Sequence, residues 1–169
     1  MAEIKINHNL LKQAAGKGMD EFIKAVTDAI YAHIGGELNG ETMSHLNADQ
    51  ITLLAWSILH EEVMDGGFIQ LIHNGYGAFI FQNPFGKAMR GWGIDEVATL
   101  LNRARKPYNK YHDMIERDCT DEEFMAMFEQ MPEFDDCDDS FVEHEEQWTA
   151  AVAYYVDEHL DHFVTIEKD

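Results

Sequence analysis

Apolar residues recur along most of this chain at three- and four-residue intervals, the period of a helix that buries one face. Between Asp20 and Ile34 the stripe is Phe22, Ile23, Val26, Ala29, Ile30 and Ile34, closed by Gly35-Gly36. Asn47-x-x-Gln50 is a capping pair, and Ile51, Leu54, Ala55, Ile58, Leu59 and Val63 continue from it as a second stripe. That helix is expected to stop at Gly66-Gly67, with a short helical turn from Phe68 to His73 ending at Asn74-Gly75. Phe79-Ile80-Phe81 is apolar throughout and reads as a possible short strand, too isolated to carry a sheet.

Beyond Pro84 the helical period returns. Asp95 and Glu96 suit a helix start, followed by Val97, Leu100, Leu101 and Ala104. Pro107 is expected to begin a separate helix carrying Tyr108, Tyr111 and Ile115. Thr120-x-x-Glu123 is a capping box that opens Phe124, Met127, Phe128 and Met131, and Pro132 ends that segment. The last long helix is expected from about Asp139-Ser140, with Val142, Trp148, Ala151, Val152, Tyr155, Val156, Leu160 and Phe163 facing inward. No strand alternation recurs and no repeat or linker divides the chain. The pattern predicts an all-α fold, a single compact multi-helix domain over residues 20–164, with residues 1–19 as an N-terminal extension carrying a short helix.

Composition narrows what such a domain can do. In 169 residues, 32 Asp and Glu stand against 12 Lys and Arg, a formal charge of −20. Direct binding to nucleic acid or to an anionic membrane surface is disfavoured, because both depend on Lys and Arg meeting phosphate. At 46% hydrophobic residues the chain has ample material for a core, unlike a disordered acidic tail. Cys119 and Cys137 are too few for a disulfide framework and read as reduced thiols. The N-terminal stretch lacks the apolar run of a signal peptide, so a soluble cytoplasmic protein is expected.

The charge is unevenly placed. Residues 1–115 carry a net −3 and residues 116–169 a net −17, with no Lys or Arg between Arg117 and Lys168. Asp121, Glu122, Glu129, Glu133, Asp135, Asp136, Asp138, Asp139, Glu143, Glu145 and Glu146 place 11 carboxylates within 26 positions. Dispersed mixed charge would solubilise with less self-repulsion, whereas a one-sided field steers and holds a basic partner. These carboxylates are the candidate partner-binding residues.

Enzyme readings are weaker. His60-Glu61-Glu62 misses the H-E-x-x-H zinc pattern because Met64 stands at the second histidine position, and no Glu-x-x-His pair occurs anywhere. A calcium loop starting at Asp136 fails at Phe141 and Gln147. There is no G-x-S-x-G elbow, P-loop or dinucleotide fingerprint. His159 and His162 lie three apart, but spacing alone supplies no third ligand. No cofactor is expected. The competing reading is a metal-dependent hydrolase using His60, Glu61 and Glu62, or His159 and His162; a third is a general acidic protein-interaction domain.

The most distinctive stretch is Glu62 to Gly77. Gly66 and Gly67 allow a tight reversal that returns Phe68 to the core, while Gln70 and Asn74, four apart, can tie loop backbone groups. This set, Glu62, Gly66, Gly67, Phe68, Gln70, Asn74 and Gly77, resembles the signature of a bacterial family of small acidic helical proteins, the DNA-mimic protein family. The likeness extends through Met89-Arg90-Gly91-Trp92-Gly93-Ile94, Ala104, Phe134-Asp135-Asp136 and Tyr154-Tyr155-Val156-Asp157-Glu158-His159, roughly residues 20–164. Leu71-Ile72 departs from it, standing where the family places an aromatic. The resemblance implies an all-helical homodimer without enzymatic activity that occupies the DNA-binding surface of a helix-turn-helix transcription regulator. The shared motif is a structural lock, so mimicry itself must come from the surface carboxylates.

Overall fold

A computed structural model describes residues 3–168. The fold is all-α: α1 His8–Lys17, α2 Met19–His33, α3 Gly40–Met43, α4 Ala48–His73, α5 Gly77–Phe81, α6 Phe85–Gly91, α7 Asp95–Glu116, α8 Asp121–Gln130 and α9 Asp135–Glu158. Two three-residue strands, β1 Lys5–Asn7 and β2 Thr165–Glu167, pair in parallel with Ile6 opposite Ile166. Among the described residues no helix is long and apolar enough to cross a membrane.

The described residues form two compact units. The first takes residues up to Leu54 and from Gln147 onward. Its core holds Phe22, Val26, Ile30, Leu53, Trp148, Val152, Val156 and Phe163, all buried. The expected Asn47/Gln50 pair is reciprocal: the Gln50 N–H donates to Asn47 Oδ1 at 2.8 Å and the Asn47 N–H to Gln50 Oε1 at 2.9 Å. Each amide then reaches further, Asn47 Nδ2 to the His162 carbonyl and Gln50 Nε2 to the Phe163 carbonyl. One local cap thereby fixes the chain entering β2.

The second unit, Ala55–Glu146, buries Trp56, Leu59, Phe68, Leu71, Phe81, Leu101, Tyr108, Phe134 and Phe141. Here several expectations are corrected. Phe79-Ile80-Phe81 is helical rather than a strand; its N–H groups close i→i+4 bonds such as Ile80 to the Tyr76 carbonyl, 3.0 Å. Isolated apolar residues with no partner strand satisfy their backbone locally. Pro107 does not begin a helix but sits buried inside α7. Val97, Leu101, Ala104, Tyr108 and Ile115 keep one continuous buried face across it. Packing on both sides outweighs one missing N–H and the crowding at the preceding turn.

α9 begins at Asp135, immediately after a 3-10 turn at Pro132–Phe134, rather than at Asp139-Ser140. Phe134 is fully buried and anchors the turn, and Asp135, Asp136 and Asp138 occupy the positive N-terminal end of the helix. With that start the inward face is Cys137, Phe141, Trp148, Val152 and Val156, so Val142 lies 55% exposed instead of inside. The helix ends at Glu158, and Leu160 and Phe163 fall beyond it. The Thr120/Glu123 capping box forms as expected.

Candidate functional site

The Gly-Gly-Phe motif is a sharp break inside α4. Gly66 has φ −149°, ψ 16° and Gly67 φ 75°, ψ −176°, the latter a conformation open essentially to glycine alone. The reversal sends Phe68 into the core, fully buried, with its ring 6.1 Å from that of Phe81. Gln70 and Asn74 do not tie backbone groups, which corrects the sequence expectation. Both amides donate to Glu62 Oε2 at 2.9 Å, and Gln70 Nε2 also donates to Asp65 Oδ2. The break brings the end of the first helical segment beside the second, and carboxylates present there are stronger acceptors than carbonyls. Gly77 is needed for a different reason: a Cβ there would stand 2.5 Å from Tyr108 Cε1.

Asp138 completes this lock from α9. Its Oδ1 accepts the Phe68 N–H at 2.9 Å, and its Oδ2 would lie 2.5 Å from a Cβ at Gly67. Burial pushes its pKa up to about 6; the Phe68 N–H opposes the shift, and Asp135 and Asp139 add to it. Because the folded pKa is raised, the fold favours the protonated carboxyl. The ionised group is unfavourable once pH rises through about 6, and the difference disappears below the ordinary carboxylate range. Asp138→Asn keeps the acceptor and removes the charge. It is expected to stabilise the protein by roughly 2–3 kcal/mol at pH 7.5 and by nothing near pH 3.5. Urea unfolding of both proteins at the two pH values checks this; an equal effect at both would show that charge is not the cause.

Three of the eleven sequence-predicted carboxylates are therefore engaged within the fold. Besides Asp138, Glu145 Oε2 accepts from His60 Nε2 at 2.8 Å, beside the stacked rings of Trp56 and Phe141. Glu133 Oε2 accepts from the Tyr111 hydroxyl at 2.5 Å and from Lys110 Nζ at 3.1 Å. The Tyr111 bond is the main reason its pKa is lowered.

The other eight, Asp121, Glu122, Glu129, Asp135, Asp136, Asp139, Glu143 and Glu146, are exposed. On α9, Asp135, Asp139, Glu143 and Glu146 follow at intervals of four, four and three, one stripe opposite the buried face of Cys137 and Phe141. The stripe advances about 5.5 Å along the axis per carboxylate. None of the four makes an ion pair or hydrogen bond among the described residues. On α8, Glu122 and Glu129 are seven apart and share one face, with Asp121 about 100° round the helix from Glu122.

The groups considered for catalysis are separated or occupied. Glu61 is exposed, Glu62 holds the two amides, and His60 holds Glu145. His159 and His162 are adjacent, with ring centres 5.2 Å apart. Sequence reasoning passed over His112, Asp113 and Glu116, whose ligand atoms lie within 4.8 Å of one another at the end of α7. Their i, i+1, i+4 spacing was the available signal. His112 Nδ1 bonds Glu116 Oε1 at 2.7 Å, which raises the imidazole pKa.

The model of a family described as DMP19-like protein matches residues 44–159, a span that includes the lock and the α9 stripe. Over 137 residues the chain is 32% identical to the DNA mimic protein DMP19 of Neisseria meningitidis serogroup B (strain ATCC BAA-335 / MC58), covering 80% of this chain and 83% of that protein.

Proposed function

This chain belongs to the DMP19-like protein family, and on that premise we propose that it acts as a DNA mimic toward a basic DNA-binding protein, a helix-turn-helix transcription regulator. It occupies the regulator's DNA-binding surface and frees the operator. The observation that carries the reading is the unpaired stripe Asp135, Asp139, Glu143 and Glu146. Its pitch of about 5.5 Å is within a factor of two of the 3.4 Å axial rise per phosphate on one DNA strand. Lys and Arg side chains, with their long flexible stems, can span that difference. The working form in this reading is a cytoplasmic homodimer, which would present the stripe twice to a regulator that is itself two-fold. No catalytic step belongs to it, in keeping with the engagement of His60 and Glu62 inside the fold.

A mobility-shift titration tests the proposal, using the regulator captured from the native host and its operator duplex. Added protein should release free DNA, and release should weaken steeply as salt screens the contact beyond about 8–10 Å. A stable ternary complex of DNA, regulator and this protein would refute mimicry and leave a general acidic interaction domain.

A further inference from the structure

From the way His159 and His162 are held, we infer that they form a binding site for a borderline divalent metal ion such as Zn²⁺, completed by water. The His162 N–H donates to the His159 carbonyl at 2.8 Å, closing the 3-10 turn Leu160–His162. Side chains at i and i+3 eclipse on such a turn, which brings the two rings to one side.

Each imidazole is also oriented through Nδ1. His159 Nδ1 donates to the Tyr155 carbonyl at 2.9 Å, and its ring stacks on Tyr155 at 4.1 Å. His162 Nδ1 donates to Asp49 Oδ2 at 2.7 Å, and the Tyr155 hydroxyl donates to the same oxygen at 3.1 Å. A carbonyl or carboxylate on Nδ1 fixes the tautomer that leaves Nε2 with its lone pair, the arrangement usual for metal-ligating histidines. Neither Nε2 has a protein partner among the described residues.

The ring spacing is suitable. With Zn–N at about 2.0–2.1 Å, two imidazoles on one tetrahedral ion have ring centres roughly 5 Å apart. The observed separation is 5.2 Å. The site lies just past the C-terminus of α9, where the negative end of the helix dipole and the exposed carboxylates of Asp157, Glu158 and Asp161 favour a cation. His112 differs in that both neighbouring carboxylates, Glu116 and Asp113, lie on its Nδ1, the nitrogen already engaged, and among the described residues no second imidazole stands beside it. His162 falls outside the residues matched by the family model, so the inference is independent of DNA mimicry.

Calorimetric titration of the full chain with Zn²⁺ at pH 7, after treatment with a chelator, tests the site. One equivalent is expected to bind, and Mg²⁺, which prefers oxygen ligands, is expected not to compete. His159→Gln and His162→Gln should each weaken binding at least about tenfold, and Asp49→Ala by roughly 10- to 100-fold through loss of the orienting bond. Circular dichroism in chelator confirms that each variant is folded. For any variant that is not, the zinc-dependent rise in melting temperature of the parent and the other histidine variant decides. No uptake by the parent, uptake unchanged in both histidine variants, or uptake lost only with His112→Gln would each overturn the inference.

Discussion

Gly67→Val is expected to remove about 2–6 kcal/mol of stability, a large part of the roughly 5–15 kcal/mol that holds a domain folded. Two costs combine. The backbone at φ 75°, ψ −176° is strained for any side chain and most for a β-branched one, at roughly 1–3 kcal/mol. The new Cβ would also stand 2.5 Å from Asp138 Oδ2, so the carboxylate must withdraw. Its bond to the Phe68 N–H is then lost, at a further cost of about 1–3 kcal/mol. Phe68→Ala should act on the same lock from the core side, at about 3–5 kcal/mol, since Phe68 is fully buried. The two are neighbours sharing Asp138, so their effects should not add. Denaturant unfolding measures both. If the variants unfolded with the parent yet failed to bind the regulator, the corner would be a binding site and its structural assignment would be wrong.

The second large effect concerns binding. Converting Asp135 and Asp139 to Asn and Glu143 and Glu146 to Gln should weaken regulator binding by about a thousandfold. Four contacts at about 1 kcal/mol each give roughly 4 kcal/mol, and each 1.4 kcal/mol is a factor of ten. Stability should hardly change. Relieving like-charge neighbours four apart gains a few tenths of a kcal/mol per pair, while losing Asp135 from the first turn of α9 costs a similar amount. Asp138 must stay out of this variant. Although it lies in the same acidic run, its carboxylate accepts the Phe68 N–H, and neutralising it would change stability and charge together. Titration of regulator against parent and variant at two salt concentrations reads the effect. Unchanged affinity would move the docking face away from α9, with Asp121, Glu122 and Glu129 of α8 next to be tested.

Local signals in the sequence were reliable where the structure they describe is local. The Asn47/Gln50 and Thr120/Glu123 caps each satisfy backbone N–H groups three residues away, so their residue types suffice to specify them. The Gly66-Gly67 break is legible for the same reason, as its backbone excludes other residues. Pro107 misled because its effect is local only until packing opposes it: Tyr108 and Ile115 continue the face begun by Val97 and Leu101. The start of α9 was misplaced by about one turn because Phe134 anchors it, and burial of one aromatic is a tertiary event.

The charged residues divide along the same line. By itself the sequence determined the all-α fold, the helical period, the break at Gly67 and the concentration of carboxylates after residue 116, all properties of neighbouring residues or of composition. Only the tertiary structure decided what each carboxylate does. Asp138 and Asp139 are adjacent and chemically identical, yet one accepts an N–H 70 positions away and the other faces solvent. A helix turns 100° per residue, so neighbours in an acidic run look in different directions, and which direction meets protein depends on elements distant in the chain. His159 and His162 repeat the point: their spacing was visible, but the Asp49 carboxylate that orients one of them comes from 113 positions away.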